Sequence, residues 1–143
     1  MKHLLIIFSL LLTSVSLSKD INFYDLAVID GLYYKKFTDI PFTGNVTGIV
    51  QSKMKNGKWV GVFKRYYKNG QLEYKGTRNS NGKWDGAFIM YFSSGRIMLE
   101  TNYKDGKLDG KNWHYFSNGQ IEHKWNYKND IHYEFYDHKF DKV

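Results

Sequence analysis

The sequence predicts an all-β fold, a meander of tandem β-hairpins forming an elongated, curved antiparallel sheet and preceded by a signal peptide. Three observations carry this reading. Asn-Gly and Asp-Gly dipeptides recur about every dozen residues, the stretches between them alternate apolar and polar side chains, and a unit of about 24 to 25 residues repeats. A chain of 143 residues with 42% hydrophobic content and one proline holds one domain rather than two, and is too apolar for a disordered tail.

Residues 1–18 read as a secretory signal. Lys2 and His3 form a basic start, an apolar run follows over residues 4–12, and Ser14, Ser16 and Ser18 give a small-residue exit, with cleavage expected after Ser18. An apolar run of about nine residues is far shorter than the roughly 20 a membrane-spanning helix needs. With no cysteine in the chain, neither a lipid-modified thiol, disulfides nor thiolate metal sites are expected, and cysteine proteases and thiol redox enzymes are excluded. Losing Lys2 takes one from the 21 basic residues against 14 acidic ones, so the mature chain carries about +6, a balance that favours acidic proteins or anionic surfaces. Behind the leader, residues 19–55 are expected to form an N-terminal β segment, residues 56–128 three hairpin repeats, and residues 129–143 a capping strand.

The repeat is visible when Asn56-Gly-Lys-Trp-Val-Gly61, Asn81-Gly-Lys-Trp-Asp-Gly86 and Asp105-Gly-Lys-Leu-Asp-Gly110 are stacked. Nine residues beyond each first glycine stands an aromatic pair, Tyr66-Tyr67, Tyr91-Phe92 or Tyr115-Phe116. A turn dipeptide follows, Asn69-Gly70, Ser94-Gly95 or Asn118-Gly119, and then Leu72, Ile97 or Ile121. The first step is one residue longer than the second, and a turn around Asn79 and Ser80 can absorb the difference. Nothing after the leader reads as a helix.

If each Asn69-Gly70-like dipeptide is a two-residue type I′ loop, Tyr67 opposes Leu72, Arg65 opposes Tyr74 and Phe63 opposes Gly76, all on one face. By the same register Phe92 opposes Ile97, Met90 opposes Leu99 and Phe116 opposes Ile121. That face is the expected core. Glycines 61, 86 and 110 are expected to leave gaps into which an aromatic ring from an adjacent strand can approach. The opposite face carries Gln71, Glu73 and Lys75 and their counterparts, and it also collects Tyr66, Tyr91 and Tyr115 in one column beside Lys64, Ile89 and Trp113. Two readings of that column stay open. Its rings can cover Glu73, Met98, Glu122 and neighbouring glycines, or they can form a recognition strip, since tyrosine and tryptophan carry much interface energy. The partner-binding candidates are therefore Tyr66, Tyr91, Tyr115, Lys64 and Trp113.

These repeats resemble the MORN-repeat variant of bacterial proteins grouped as the YwqK-type antitoxin family of toxin-antitoxin systems. The resemblance spans about residues 30–128 and includes the upstream stretch Asp30-Gly-Leu-Tyr-Tyr-Lys-Lys-Phe-Thr-Asp-Ile-Pro-Phe-Thr-Gly44. It implies a chain of hairpins in an extended curved sheet and a role as an antitoxin or immunity partner. The third repeat departs from the pattern, with Leu108 in place of tryptophan and Asn112, His114 and His123 on the core face. Such polar substitutions suit a terminal cap, completed by Tyr133, Phe135, Tyr136 and Phe140. The leader is the second departure, and it favours a toxin acting in the envelope over a cytoplasmic one.

Chemistry finds little support in the sequence. His114 and His123 face each other in the register, but a zinc site takes three protein ligands and no third is evident. His132, Glu134, Asp137 and His138 alternate with Tyr133 and Phe135 as the solvent side of a strand would. There is no Gly-x-Ser-x-Gly elbow, and no glycine loop leads into a helix to hold a nucleotide. The expected function is an exported, non-catalytic repeat module without catalytic residues, metal or cofactor, periplasmic or secreted, that binds a protein partner. The alternative is an envelope-surface binder that meets anionic lipid or cell-wall polymer through Lys53, Lys55, Lys58, Lys64, Lys68 and Lys75. Nucleic acid is disfavoured as a target of an exported chain.

Overall fold

The structure is a computed structural model that describes residues 20–133. The expected leader, residues 1–18, lies outside the described residues, as do Glu134, Phe135, Tyr136, Asp137, His138 and Phe140 of the expected cap. Twelve strands follow in chain order: β1 (Asp20–Asn22), β2 (Leu26–Ile29), β3 (Leu32–Lys35), β4 (Gly44–Thr47), β5 (Val50–Lys55), β6 (Lys58–Tyr66), β7 (Leu72–Arg78), β8 (Gly86–Tyr91), β9 (Ile97–Lys104), β10 (Lys107–Tyr115), β11 (Ile121–Lys128) and β12 (Ile131–Tyr133). The described helical content is one 3-10 turn, Phe23–Asp25, capped by the Asn22 side chain.

Ten strands form one sheet in the order β1-β4-β5-β6-β7-β8-β9-β10-β11-β12, and β2 and β3 form a separate hairpin. The meander is as expected from β4 onward. The expectation of a purely antiparallel sheet fails at one edge, where β1 runs parallel to β4 with Ile21 beside Val46. The reason lies in the connection. The β2-β3 hairpin intervenes between β1 and β4, and so provides the long crossover a parallel pair requires.

The turns are of two kinds. At Asn56-Gly57 and Asp105-Gly106 both central residues have positive φ, as a type I′ turn demands. At Gly70, Gly82, Gly95 and Gly119 only the glycine does. There the loop has three residues: Tyr67 N–H donates to the Gln71 carbonyl at 2.8 Å and Gly70 N–H to the Tyr67 carbonyl at 2.9 Å, with the same pair of bonds at Asn79, Phe92 and Phe116. Asn69 Oδ1 accepts the Gln71 N–H at 3.0 Å, which holds the asparagine out of the left-handed region. The two-residue loop expected at Asn69-Gly70 is therefore corrected, and with it the end of the register. Leu72 pairs with Tyr66, Ile97 with Tyr91 and Ile121 with Tyr115, not with Tyr67, Phe92 and Phe116. A bulge restores the expected pairing further in, so that Arg65 faces Tyr74, Phe63 faces Gly76 and Met90 faces Leu99. The extra residue of the first repeat step sits in the turn over residues 80–82, which replaces a two-residue turn by a three-residue one.

The dry face is built from rings. Trp59 and Phe63 meet edge to face at 5.0 Å, Phe63 and Trp84 at 5.6 Å, and Trp84 and Phe88 at 4.9 Å, while Tyr74 stacks flat on Phe63 at 5.7 Å. The Arg78 guanidinium lies 3.7 Å over the Trp84 ring, and burial pulls its pKa below the ordinary arginine value. Ile21, Leu26, Phe42, Val46, Val50 and Met54 join this cluster from the N-terminal strands. The β2-β3 hairpin is pinned there by three backbone bonds, from Tyr33 N–H to Gly57, from Phe42 N–H to Tyr33 and from Gly57 N–H to Phe42, and Tyr33 packs edge-on against Trp59.

Burial weakens along the sheet. The buried residues beyond Phe88 are Thr101 and Asn112, which bond to each other at 3.1 Å, and Ile121, expected in the core, is exposed. The gaps expected over glycines are also redistributed. A Cβ at Gly76 would come within 2.9 Å of Phe88 and 3.0 Å of Trp84, whereas nothing approaches Gly61 or Gly86 within 4 Å, and Gly110 meets the Asn102 side chain. Gly61 and Gly86 owe their identity to positive φ, 72° and 97°, inside or at the start of a strand. It follows that Gly76→Ala will overpack the ring cluster and lower stability by about 1–3 kcal/mol, read as a lower urea midpoint at unchanged slope.

Candidate functional site

Alternation along β6 through β11 leaves one face of the sheet to solvent, and this outer face holds all five candidate residues. Its central row is continuous across seven strands: Gln51, Lys64, Lys75, Ile89, Glu100, Trp113 and Lys124 stand opposite one another in successive pairs. Tyr66, Tyr91 and Tyr115 occupy equivalent places at the far ends of β6, β8 and β10, each half-buried.

Each tyrosine is engaged with the preceding strand. Tyr66 donates its hydroxyl to Gln51 Oε1 at 3.2 Å, Tyr115 donates to Glu100 Oε2 at 3.2 Å, and the Lys75 ammonium lies 6.0 Å from the Tyr91 ring centre. The expected coverage of Glu73, Met98 and Glu122 is therefore corrected to Gln51, Lys75 and Glu100. The three-residue loops are the cause, because they slide the second strand of each hairpin by one place at the tip. Glu73 instead pairs with Arg65 Nε at 2.9 Å.

Trp113 sits between two cations, with Lys111 Nζ 5.2 Å and Lys124 Nζ 4.7 Å from its ring centre. Lys111 also donates to Glu100 Oε2 at 2.7 Å, and that bond holds the Glu100 carboxyl below its ordinary pKa. Burial and the neighbouring Glu100 raise the Tyr115 hydroxyl. Lys64 and Lys75 are different. They face each other directly across β6 and β7, and neither enters an ion pair among the described residues. Like charges in that arrangement repel.

Sequence reasoning placed the tyrosine column, Lys64 and Trp113 on this face but missed how much lysine joins them. Lys83, Lys104, Lys107, Lys111 and Lys128 alternate with residues of the dry face and so project outward too, beside Lys124, which the alternation of the second strands already places there. The same period-two alternation that located Tyr66 would have found them had it been carried through the later repeats. Lys128 is neutralised by Asp109 at 2.9 Å.

The dry face ends in a histidine-rich patch. His114 and His123 stand opposite, as the register requires, with ring centres 6.4 Å apart, and His123 stacks on Trp125 at 4.8 Å. His114 Nε2 lies 2.8 Å from Asn112 Oδ1, whose amide donates to Thr101. Among the described residues no three or more of His, Cys, Asp and Glu converge as a metal site would require. No helix among them is long and apolar enough to cross a membrane.

A chain of hairpins, each stacked on the next through an identical turn rhythm, defines the class: a tandem β-hairpin repeat protein. Residues 59–79, 84–105 and 108–129 match the MORN repeat variant, one match to each of the hairpins β6-β7, β8-β9 and β10-β11. No curated protein and no solved structure matches the chain. The repeats are consistent with a repeat-based binding module.

The Glu100 pair gives a pH dependence with a definite sign. A carboxyl whose pKa is depressed on folding contributes stability above its unfolded value, and that contribution is lost as pH falls through the folded value. Lys111→Met should therefore lower stability by about 0.5–1 kcal/mol at neutral pH. Thermal melts across the acid range should show this difference closing as Glu100 protonates.

Proposed function

We propose that this chain is an exported, non-catalytic repeat module whose outer face binds a protein partner, in the manner of an antitoxin or immunity protein. The observation that carries the reading is the repeat-registered tyrosine column, Tyr66, Tyr91 and Tyr115, set beside Lys64 and Trp113 on a face rich in lysine. Half-buried aromatic rings held by neighbours lose little freedom on docking, and surrounding cations steer an acidic partner. Export rests on the leader-like residues 1–18, and the antitoxin role on the resemblance of residues 30–128.

Capture of a partner from an envelope extract by the mature chain tests this reading. Joint substitution Tyr66→Ala, Tyr91→Ala and Tyr115→Ala should cost at least about tenfold in capture, equivalent to about 1.4 kcal/mol, while the β spectrum persists. Unchanged capture by a folded triple variant would sink the tyrosine column as the docking element.

The facing, unneutralised pair Lys64 and Lys75 favours a second reading, an envelope-surface binder for anionic lipid or cell-wall polymer. In that case the chain will sediment with anionic but not neutral vesicles or with cell-wall preparations, and binding will fall steeply between about 0.05 and 0.5 M salt.

A further inference from the structure

Between the tyrosine column and the turns at Asn56, Asn81 and Asp105, the outer face is hollow. Above Gly61 nothing stands within 4 Å of where a Cβ would be. A depression of about 420 Å³ opens over Ser52, Lys53, Gly61, Val62 and Lys64, and a second of about 180 Å³ over Val62, Lys75, Thr77, Ala87 and Ile89. Val62 lines both, so the two depressions adjoin, and together they trace a shallow furrow across β5, β6, β7 and β8. Its lining includes the small residues Ser52, Gly61, Gly76, Thr77 and Ala87, and its apolar groups are Val62, 61% accessible, the exposed Ala87 and the half-buried Ile89.

The furrow has one sign of charge. Lys53, Lys64 and Lys75 line it, no carboxylate does, and none of the three lysines is in an ion pair among the described residues. Lys64 and Lys75 are set directly opposite each other, an arrangement that costs stability and that an incoming anion would relieve. Four strands at about 4.8 Å spacing make a furrow about 15 Å long, the length of four or five residues of extended peptide.

We infer that the furrow takes an extended acidic segment of a protein partner, in which carboxylates alternate with apolar side chains. The inference rests on the reading of the outer face as a protein-binding surface and adds the element recognised. Alternation matters because an extended chain crossing the strands sends successive side chains to opposite sides, one set to Lys64 and Lys75 and the other to the row of Val62 and Ala87. A purely charged polymer would satisfy the lysines but leave Val62 and Ala87 in water.

The test uses the mature chain and a fluorescein-labelled peptide of four Glu-Val repeats, read by fluorescence anisotropy, with four Glu-Gly repeats and inorganic polyphosphate as comparisons. The Glu-Val peptide should bind about tenfold more tightly than Glu-Gly and resist displacement by polyphosphate at equal charge. Joint Lys53→Gln, Lys64→Gln and Lys75→Gln should weaken it by about tenfold or more. Should that variant fail to fold, Ala87→Trp fills the furrow without removing charge and should weaken binding comparably. The Tyr66, Tyr91 and Tyr115 triple alanine variant should keep the peptide while losing partner capture, which separates failure of the furrow from failure of the column. Equal binding of Glu-Gly and Glu-Val, displacement by polyphosphate, or indifference to Ala87→Trp would each overturn the inference.

Discussion

Among the described residues no helix covers either side of the sheet, so it must keep one face dry with its own side chains, and nearly everything else described follows from how that is done. From Tyr33 through Trp59, Phe63, Trp84 and Phe88 to Tyr103, successive rings meet at centre distances between 4.9 and 5.9 Å, mostly edge to face. The rings come from β3, β6, β8 and β9 and from Trp84 just before β8, so Trp84 and Phe88 of one repeat help to bury Phe63 of the repeat before it. Stability is then shared between neighbours in a line, and a single hairpin could not hold its own face dry. Gly76 is the point where this packing is tightest, and the absence of its side chain lets Phe88 and Trp84 reach the backbone.

The gradient of burial has the same origin. At the N-terminal end, the β2-β3 hairpin folds back over Trp59 and supplies a second layer, so Val46, Val50 and Met54 are almost fully enclosed. Further along no second layer is described, and the ring stack gives way to groups that tolerate water: the Thr101-Asn112 pair, His114, His123 and Trp125. Asn112 satisfies both neighbours through one amide, which is why a polar residue can stand where the earlier repeats have an aromatic.

The outer face is where repetition turns into a surface. Because every repeat places its tyrosine at the same height, the sheet displays rows that run across the strands, and the row beside the tyrosines reads Lys64, Lys75, Ile89, Glu100, Trp113 and Lys124. The tyrosine row is held by its neighbours, Gly61 and Gly86 are open while Gly110 meets Asn102, and the lysines are only partly neutralised. Glu100 collects Lys111 and Tyr115 and Asp109 takes Lys128, while Lys64, Lys75, Lys104 and Lys107 stay without an ion pair among the described residues.

The sequence by itself determined the strand count through the repeats, the positions of the turns, the sorting of residues into a dry and a wet face, and the membership of the tyrosine column with Lys64 and Trp113. These are legible because turn glycines and period-two alternation act over a few residues. Tertiary structure decided the rest. The three-residue loops at Asn69 and its counterparts were hidden because Asn-Gly suits either loop, and the choice depends on hydrogen bonds to Gln71 and the bulge that follows. The parallel β1-β4 pair depends on residues 23–43 folding back as a hairpin-bearing crossover, and which glycine meets a ring depends on the packing of separate strands. The open furrow was invisible for the same reason, since an empty space is defined by side chains that arrive from four strands and by the ones that do not.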